Sequence, residues 1–171
     1  MASGPEQRLT GLARVRDAPL HIVLVEPQIP PNTGNVARLC AATGCALHLV
    51  KPLGFSLNDR DLKRAGLDYW NELGVVMHGS YEAFAKETRG LDRWYFSTRA
   101  GQRHDSANFS HGDMLVFGKE TAGLPEATIR ANAQRALRIP MRAGVRSLNL
   151  STAVGIAAYT ALASLQYPDL T

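Results

Sequence analysis

Three stretches of this sequence hold residues whose types and spacing suit chemistry. Pro30-Pro-Asn-Thr-Gly-Asn-Val-Ala-Arg38 sets Asn32, Thr33 and Asn35 one turn ahead of a guanidinium. One cap starts a helix, so the surplus reads either as a well-capped helix with an exposed arginine or as a ligand-facing helix mouth. Phe117-Gly-Lys-Glu-Thr-Ala-Gly-Leu-Pro125 is a strand-to-helix loop with two glycines and the carboxylate of Glu120. Its glycines allow the backbone close to a flat ligand. Arg138-Ile-Pro-Met-Arg-Ala-Gly-Val-Arg-Ser-Leu-Asn-Leu-Ser151 reads as a short buried strand, a basic loop and a helix start. Ser147 and Asn149 are both N-cap types, able to accept from the free N–H groups of a first turn. A strand end that opens onto a helix N-terminus is where an open α/β sheet holds its ligand.

Several other chemistries are excluded by what is missing. No Gly-x-Gly-x-x-Gly follows the first apolar run, which argues against a Rossmann dinucleotide site. Gly112 lies one residue too far from Gly118-Lys119 for a phosphate loop, and Glu120 stands where Ser or Thr would hold magnesium. No Gly-x-Ser-x-Gly elbow appears. The five histidines (21, 48, 78, 104, 111) form no His-x-x-x-His pair and read as scattered core or surface residues, with no metal site expected. Cys40 and Cys45 are too few for a disulfide framework or a zinc site and read as reduced thiols.

The elements that must position these segments alternate. Apolar runs of strand length occur at Leu20–Glu26, Ala46–Val50, Gly74–His78, Trp94–Ser97, Met114–Phe117 and Ala136–Ile139. Helical patterns lie between them: one opened by residues 32–35 and running from Val36 to Thr43, then Asp59–Trp70, Tyr81–Glu87 and Pro125–Ala133. Pro27, Pro30 and Pro31 are expected to forbid regular structure ahead of the first helix, and Gly44 to end it. A last, apolar helix follows Asn149. This alternation predicts one α/β domain, a parallel sheet flanked by helices, over residues 20–166. Residues 1–19 read as a flexible leader and 167–171 as a short tail.

At 171 residues, 45% hydrophobic and 20% charged, the chain suits one globular core. No apolar run reaches membrane-spanning length, and the first nineteen residues lack the apolar centre of a secretory signal, so the cytosol is the expected compartment. The net charge of +4 is mild, but residues 127–171 hold five arginines (130, 135, 138, 142, 146) against one acid, Asp169. That block is either a solvated face or a phosphate-binding one, and charge alone does not choose.

With the motifs in view, the chain resembles the SPOUT RNA methyltransferases, nearest the short tRNA 2′-O-methyltransferases of the TrmL (YibK-like) branch. The resemblance rests on five segments in order: Glu26–Arg38, His48–Phe55, Arg64–Tyr69, Phe117–Pro125 and Ile139–Ser151. It implies a C-terminal trefoil knot, S-adenosylmethionine as cofactor, a homodimer, and tRNA as substrate with the wobble nucleotide, a cytidine or modified uridine at position 34, as target. Ribosomal RNA methylation and RNA binding without transfer are the alternatives to that activity.

Residue by residue, the resemblance implies cofactor-lining positions at Ser97, Thr98, Gly118, Ile139, Met141, Ser147 and Leu148. It implies a catalytic set of Arg38, Asn35, Glu120, Ser147 and Asn149, with Arg142, Arg146 and Tyr159 for RNA. Arg38 is expected to hold the RNA phosphate or polarise the hydroxyl, because a guanidinium almost never gives up its proton. Two positions depart from the family pattern: Lys119 stands where proline is usual, and Thr152 where asparagine is.

Overall fold

The computed structural model describes residues 15–57, 60 and 73–171. The helix expected over residues 59–70 lies, but for Arg60, outside the described residues, as do the segment 64–69 and the leader up to residue 14.

A seven-stranded sheet forms the centre of the described residues. Its strands are β1 (Leu20–Val25), β2 (Ala46–Val50), β3 (Val76–His78), β4 (Arg93–Phe96), β5 (Gln102–Arg103), β6 (Asp113–Phe117) and β7 (Ala136–Arg138). They lie in the order β3-β2-β1-β6-β4-β7-β5, and every pairing is parallel. The helices are α1 (Pro30–Thr43), α2 (Tyr81–Glu87), α3 (Glu126–Ala131) and α4 (Leu150–Ser164). The parallel α/β expectation holds, with one strand more than the sequence suggested. β5 has two residues, both exposed, and so carries no apolar signature.

Period-two alternation sorts the strand residues onto two cores. Leu20, Ile22, Leu24, Leu47, Leu49, Leu115 and Phe117 point to one face, which α1 covers with Val36, Ala37 and Cys40 and α4 with Val154, Ala157, Ala161 and Leu162. Val23, Val25, Val50, Tyr95, Met114 and Val116 point to the other, covered by Phe84 of α2 and Ile129 of α3. All six β1 residues are buried, as a strand covered on both faces requires.

The start of α1 corrects the sequence reading. The helix begins at Pro30, not after the prolines, and Pro30 and Pro31 occupy its first two positions. There the missing N–H groups cost nothing and the fixed φ suits the helix. The cap position is Ile29, with no side-chain cap, so Asn32 and Thr33 are released from the capping role expected of them. Gly44 ends the helix in the left-handed region at φ 71°. Asn149 caps α4 as its type predicts, its side chain accepting from the backbone N–H groups of Ser151 and Thr152; no such cap bond involves Ser147.

Candidate active site

The carboxyl ends of β1, β4, β6 and β7 open onto a cavity of about 720 Å³, within the range of small-molecule sites. Its floor is apolar. Phe96 and Phe117 stack with centroids 4.7 Å apart, and Leu137, Ile139, Leu148 and Leu150 continue the surface. The loop after β6 forms a tight wall. A Cβ on Gly118 would lie 2.1 Å from the carbonyl carbon of Gly123, so only glycine lets the two strands of the loop meet. The Gly123 N–H donates to the Lys119 carbonyl at 2.8 Å, closing that loop on itself.

Ser97, Thr98, Gly118, Ile139, Met141, Ser147 and Leu148 all line this cavity, together with Glu120, Asn149 and Arg146. Segments from four parts of the chain thus meet at one place. Asn35, Arg38, Arg142 and Tyr159 do not line it. Asn35 and Arg38 are exposed on α1, Arg142 is exposed on the loop after β7, and Tyr159 is 46% exposed on α4.

A hydrogen-bonded chain joins the cavity wall to both helix mouths. The Glu120 carboxylate accepts from the backbone N–H of Gln28 at 2.8 Å and of Ile29 at 3.0 Å, and from Asn32 Nδ2 at 3.1 Å. It therefore caps α1 from a segment some 90 positions away, where the helix's own sequence provides no cap. Asn32 Oδ1 in turn accepts from Asn149 Nδ2 at 2.9 Å, and Asn149 Oδ1 accepts from the Ser151 and Thr152 N–H groups of α4. The amide orientation of Asn32 is thereby fixed from both ends. Sequence reasoning left Asn32 out of the site. The signal was present in the proline pair, which marks the first two helix positions and puts Asn32 at the third, inside the turn that faces the cavity.

Charge is unevenly spent around the cavity. Lys119 Nζ lies 3.0 Å from Glu26 Oε2, so the lysine that departs from the family pattern is paired. Glu26 itself has φ 52°, an uncommon conformation for a residue with a side chain. Arg99 and Arg130 both approach Glu126 at 3.6 Å. Among the described residues no ion pair involves Arg38, Arg138, Arg142 or Arg146, all exposed and thus open to an anionic partner. No group of His, Cys, Asp and Glu that could hold a metal occurs among the described residues.

Three of the five histidines are not scattered. His21, His48 and His78 sit on neighbouring strands and are linked across the sheet, His21 Nδ1 to His48 Nε2 at 2.9 Å and His48 Nδ1 to His78 Nε2 at 2.9 Å. His78 Nδ1 continues to Glu87 Oε2 of α2 at 2.6 Å. Linear spacing could not reveal the row, because strand register assembles it. Burial holds all three imidazoles below their usual range, His21 to about 4 with help from His111, and His48 well below 6.5 with help from its two histidine neighbours. For His78 the Glu87 carboxylate opposes the effect of burial without overcoming it.

Comparison with known proteins places this geometry. The sequence model of the SpoU rRNA Methylase family matches residues 19–159. A Saccharophagus degradans protein named tRNA (cytidine(34)-2′-O)-methyltransferase is 47% identical over 148 residues, covering 86% of this chain and 96% of that protein. The Escherichia coli (strain K12) protein of the same name is 45% identical over 150 residues, covering 87% and 96%. A solved structure described as "Structural insights into the 2-OH methylation of C/U34 on tRNA" superposes with a TM-score of 0.81 at 49% identity, covering 86% of this chain and 96% of that one. With the matched span containing every strand of the sheet and the whole cavity wall, the chain belongs to the SpoU methylase family.

Proposed function

We propose that this protein is an S-adenosylmethionine-dependent tRNA 2′-O-methyltransferase that modifies the wobble nucleotide, position 34, and works as a homodimer in the cytoplasm. The observation that carries the reading is the cavity at the strand ends, walled by the segments 96–99, 117–124 and 137–150. The names of the relatives supply the substrate.

The residues present fit the cofactor. An adenine ring needs apolar faces, which Leu137, Ile139, Leu148 and Leu150 offer, and edge contacts to main chain, which a glycine-closed loop at Gly118 leaves uncrowded. When bound, the cofactor supplies an already activated methyl group. Ser97, Thr98, Met141 and Ser147 would complete its enclosure, and Asn149 would be held toward it by Asn32. The protein's remaining task is to position a ribose hydroxyl, a poor nucleophile, in line with that methyl.

In this reading Arg38 holds an RNA phosphate and polarises the hydroxyl, with Asn35 beside it. Both are exposed on α1 and absent from the cavity wall of their own chain. A second copy would bring them there. The outer face of α4 supports such a seam, since Ile156 and Tyr159 stand 37% and 46% exposed on an otherwise apolar helix. Tyr159 then serves the dimer or the RNA that crosses it, and Arg142 and Arg146 grip phosphate. The family's trefoil knot, formed where the loop after β7 returns to α4, belongs to the same proposal, as does a single catalytic unit over residues 20–166. Glu120 acts by orienting Asn32 and the mouth of α1, because its carboxylate already serves three donors.

The test is incubation of the protein with methyl-labelled cofactor and either tRNA or ribosomal RNA, followed by mapping of the methylated nucleoside. Label in a 2′-O-methyl nucleoside at tRNA position 34 is expected. Label in ribosomal RNA alone, or cofactor binding with no transfer to either RNA, would overturn the reading.

A further inference from the structure

The His21–His48–His78–Glu87 row plays no part in the proposed reaction. It crosses the β1–β2–β3 side of the sheet, on the face covered by α2. His48 and His78 are 0% and 1% exposed and His21 is 4% exposed, while Glu87 is exposed at the protein surface. The planes of His48 and His78 lie 5° from parallel with ring centroids 5.2 Å apart, an end-to-end arrangement that suits the hydrogen bond between them, and Phe84 closes the far side edge-on.

A neutral imidazole has one donor nitrogen and one acceptor, so a chain of such rings has a direction. The direction is set at its end. A carboxylate accepts, so His78 Nδ1 carries the proton and His78 Nε2 must accept from His48. His48 Nδ1 is then protonated and its Nε2 accepts from His21 Nδ1. All three rings are Nδ1–H tautomers pointing toward Glu87. The one ring nitrogen left over is His21 Nε2, at the end influenced by the exposed His111.

We propose that His21, His48, His78 and Glu87 form a single proton-responsive unit that takes up one proton as a whole, reversing the tautomer of every ring. The proton arrives from solvent at His21 Nε2. His21 passes its Nδ1 proton to His48 Nε2, His48 passes its Nδ1 proton to His78 Nε2, and His78 passes its Nδ1 proton to Glu87 Oε2. Every hydrogen bond survives with its direction reversed, Glu87 becomes a neutral acid, and no imidazolium is left in the sheet. A second proton has no such route. It would leave an uncompensated charge buried in the sheet, and so opens the β1–β2–β3 side.

Among the described residues, the other titratable groups on the packed elements have partners of their own or face solvent. Burial pushes the Tyr81 hydroxyl's pKa up, and its hydrogen bond with Tyr95 adds to the effect. Arg93 lies over the Phe84 ring and donates to the carbonyls of Ala85 and Thr88. Asp113 on β6 accepts from Trp94 Nε1 and from the Ser110 N–H. Glu82 and Lys86 of α2 are exposed to solvent.

The experiment is long-range proton–nitrogen correlation NMR on the full, nitrogen-15-labelled chain, followed from about pH 8 down to about pH 5 across the imidazole range. The expected result is three Nδ1–H rings at the upper end, changing together to Nε2–H with one common midpoint. Any of the three in the Nε2–H form at the upper end, or rings that become imidazolium at separate midpoints, would overturn the proposal. Glu87→Gln supplies the control, since the amide keeps the size of the side chain and its Oε1 can still accept from His78 Nδ1. An amide cannot take the terminal proton, so the common switch should disappear; its persistence at an unchanged midpoint would equally refute the unit.

Discussion

Two hydrogen-bonded chains run through this molecule, and they differ in one chemical respect. At the cavity, Glu120, Asn32 and Asn149 connect the mouths of α1 and α4 through a carboxylate and two amides. On the other side of β1, three imidazoles connect β1, β2 and β3 to Glu87. Each chain ties together segments distant in sequence, and each is ordered by a carboxylate. Amides do not titrate, so the first chain keeps its geometry wherever Glu120 is ionised. Imidazoles do, so the second responds to acid. The protein has used a fixed network where a ligand must be positioned and a proton-sensitive one where the sheet has only to be held.

Removal of the Glu120 carboxylate should break the comparison most severely. In Glu120→Ala the Gln28 and Ile29 N–H groups and the Asn32 amide lose a charged acceptor, which costs about 3 kcal/mol of stability. Cofactor affinity should fall with it, because Asn32 no longer holds Asn149. Denaturant unfolding and equilibrium dialysis of the cofactor measure the two effects. Unchanged cofactor binding would show that the chain does not position the cavity wall.

Acid should act on the other chain alone. The three imidazoles bind fewer protons in the native protein than in the unfolded chain, where they titrate near 6.5. Stability is therefore full above about pH 6.5 and falls as the pH drops below it, because the unfolded chain takes up a proton on each of the three imidazoles where the native row takes up at most one. Each extra proton bound on unfolding contributes a slope approaching about 1.4 kcal/mol per pH unit. Two to three such protons should remove about 2–3 kcal/mol between about pH 6.5 and 5.5. Amide exchange in β2 and β3 should rise before that in β6. A flat stability profile over this window would contradict the neutral, buried assignment.

The smallest effect expected is at Lys119→Ala. The Lys119–Glu26 pair is 38% and 35% exposed, so its loss should cost at most about 1 kcal/mol and diminish further in salt. A larger change would mean that the lysine supports the loop through contacts other than that pair.

How much of this was legible in the sequence follows from burial and locality. β1, β2, β4 and β6 were readable because a strand covered on both faces is a continuous apolar run. The three cavity segments were readable because their βα turns hold more glycine, asparagine and carboxylate than a helix cap or a tight turn needs. β5 was not, being two exposed residues. The start of α1 was misread by treating Pro30 and Pro31 as breakers, although a helix tolerates proline in its first turn, and Asn32 was lost with it. The histidine row had no linear signature at all. Val23 pairs with His48 and His48 with Val76, and it is the stagger of parallel strands that carries His21 and His78 to either side of the His48 ring.

The central claim is that the cavity is half of an active site and that Arg38 enters from a second copy. It is tested most directly with two variants that should each be inactive, Arg38→Ala and Asn149→Ala. They are co-expressed with different affinity tags and purified through both, so that every dimer carries one of each. Such a dimer keeps one intact pocket facing one intact Arg38, and should recover about half the activity of a doubly tagged wild-type dimer. If Arg38 instead serves its own chain's cavity, both sites in the mixed dimer are broken. Absence of recovery, with cofactor binding retained in the Arg38→Ala variant, would contradict the account.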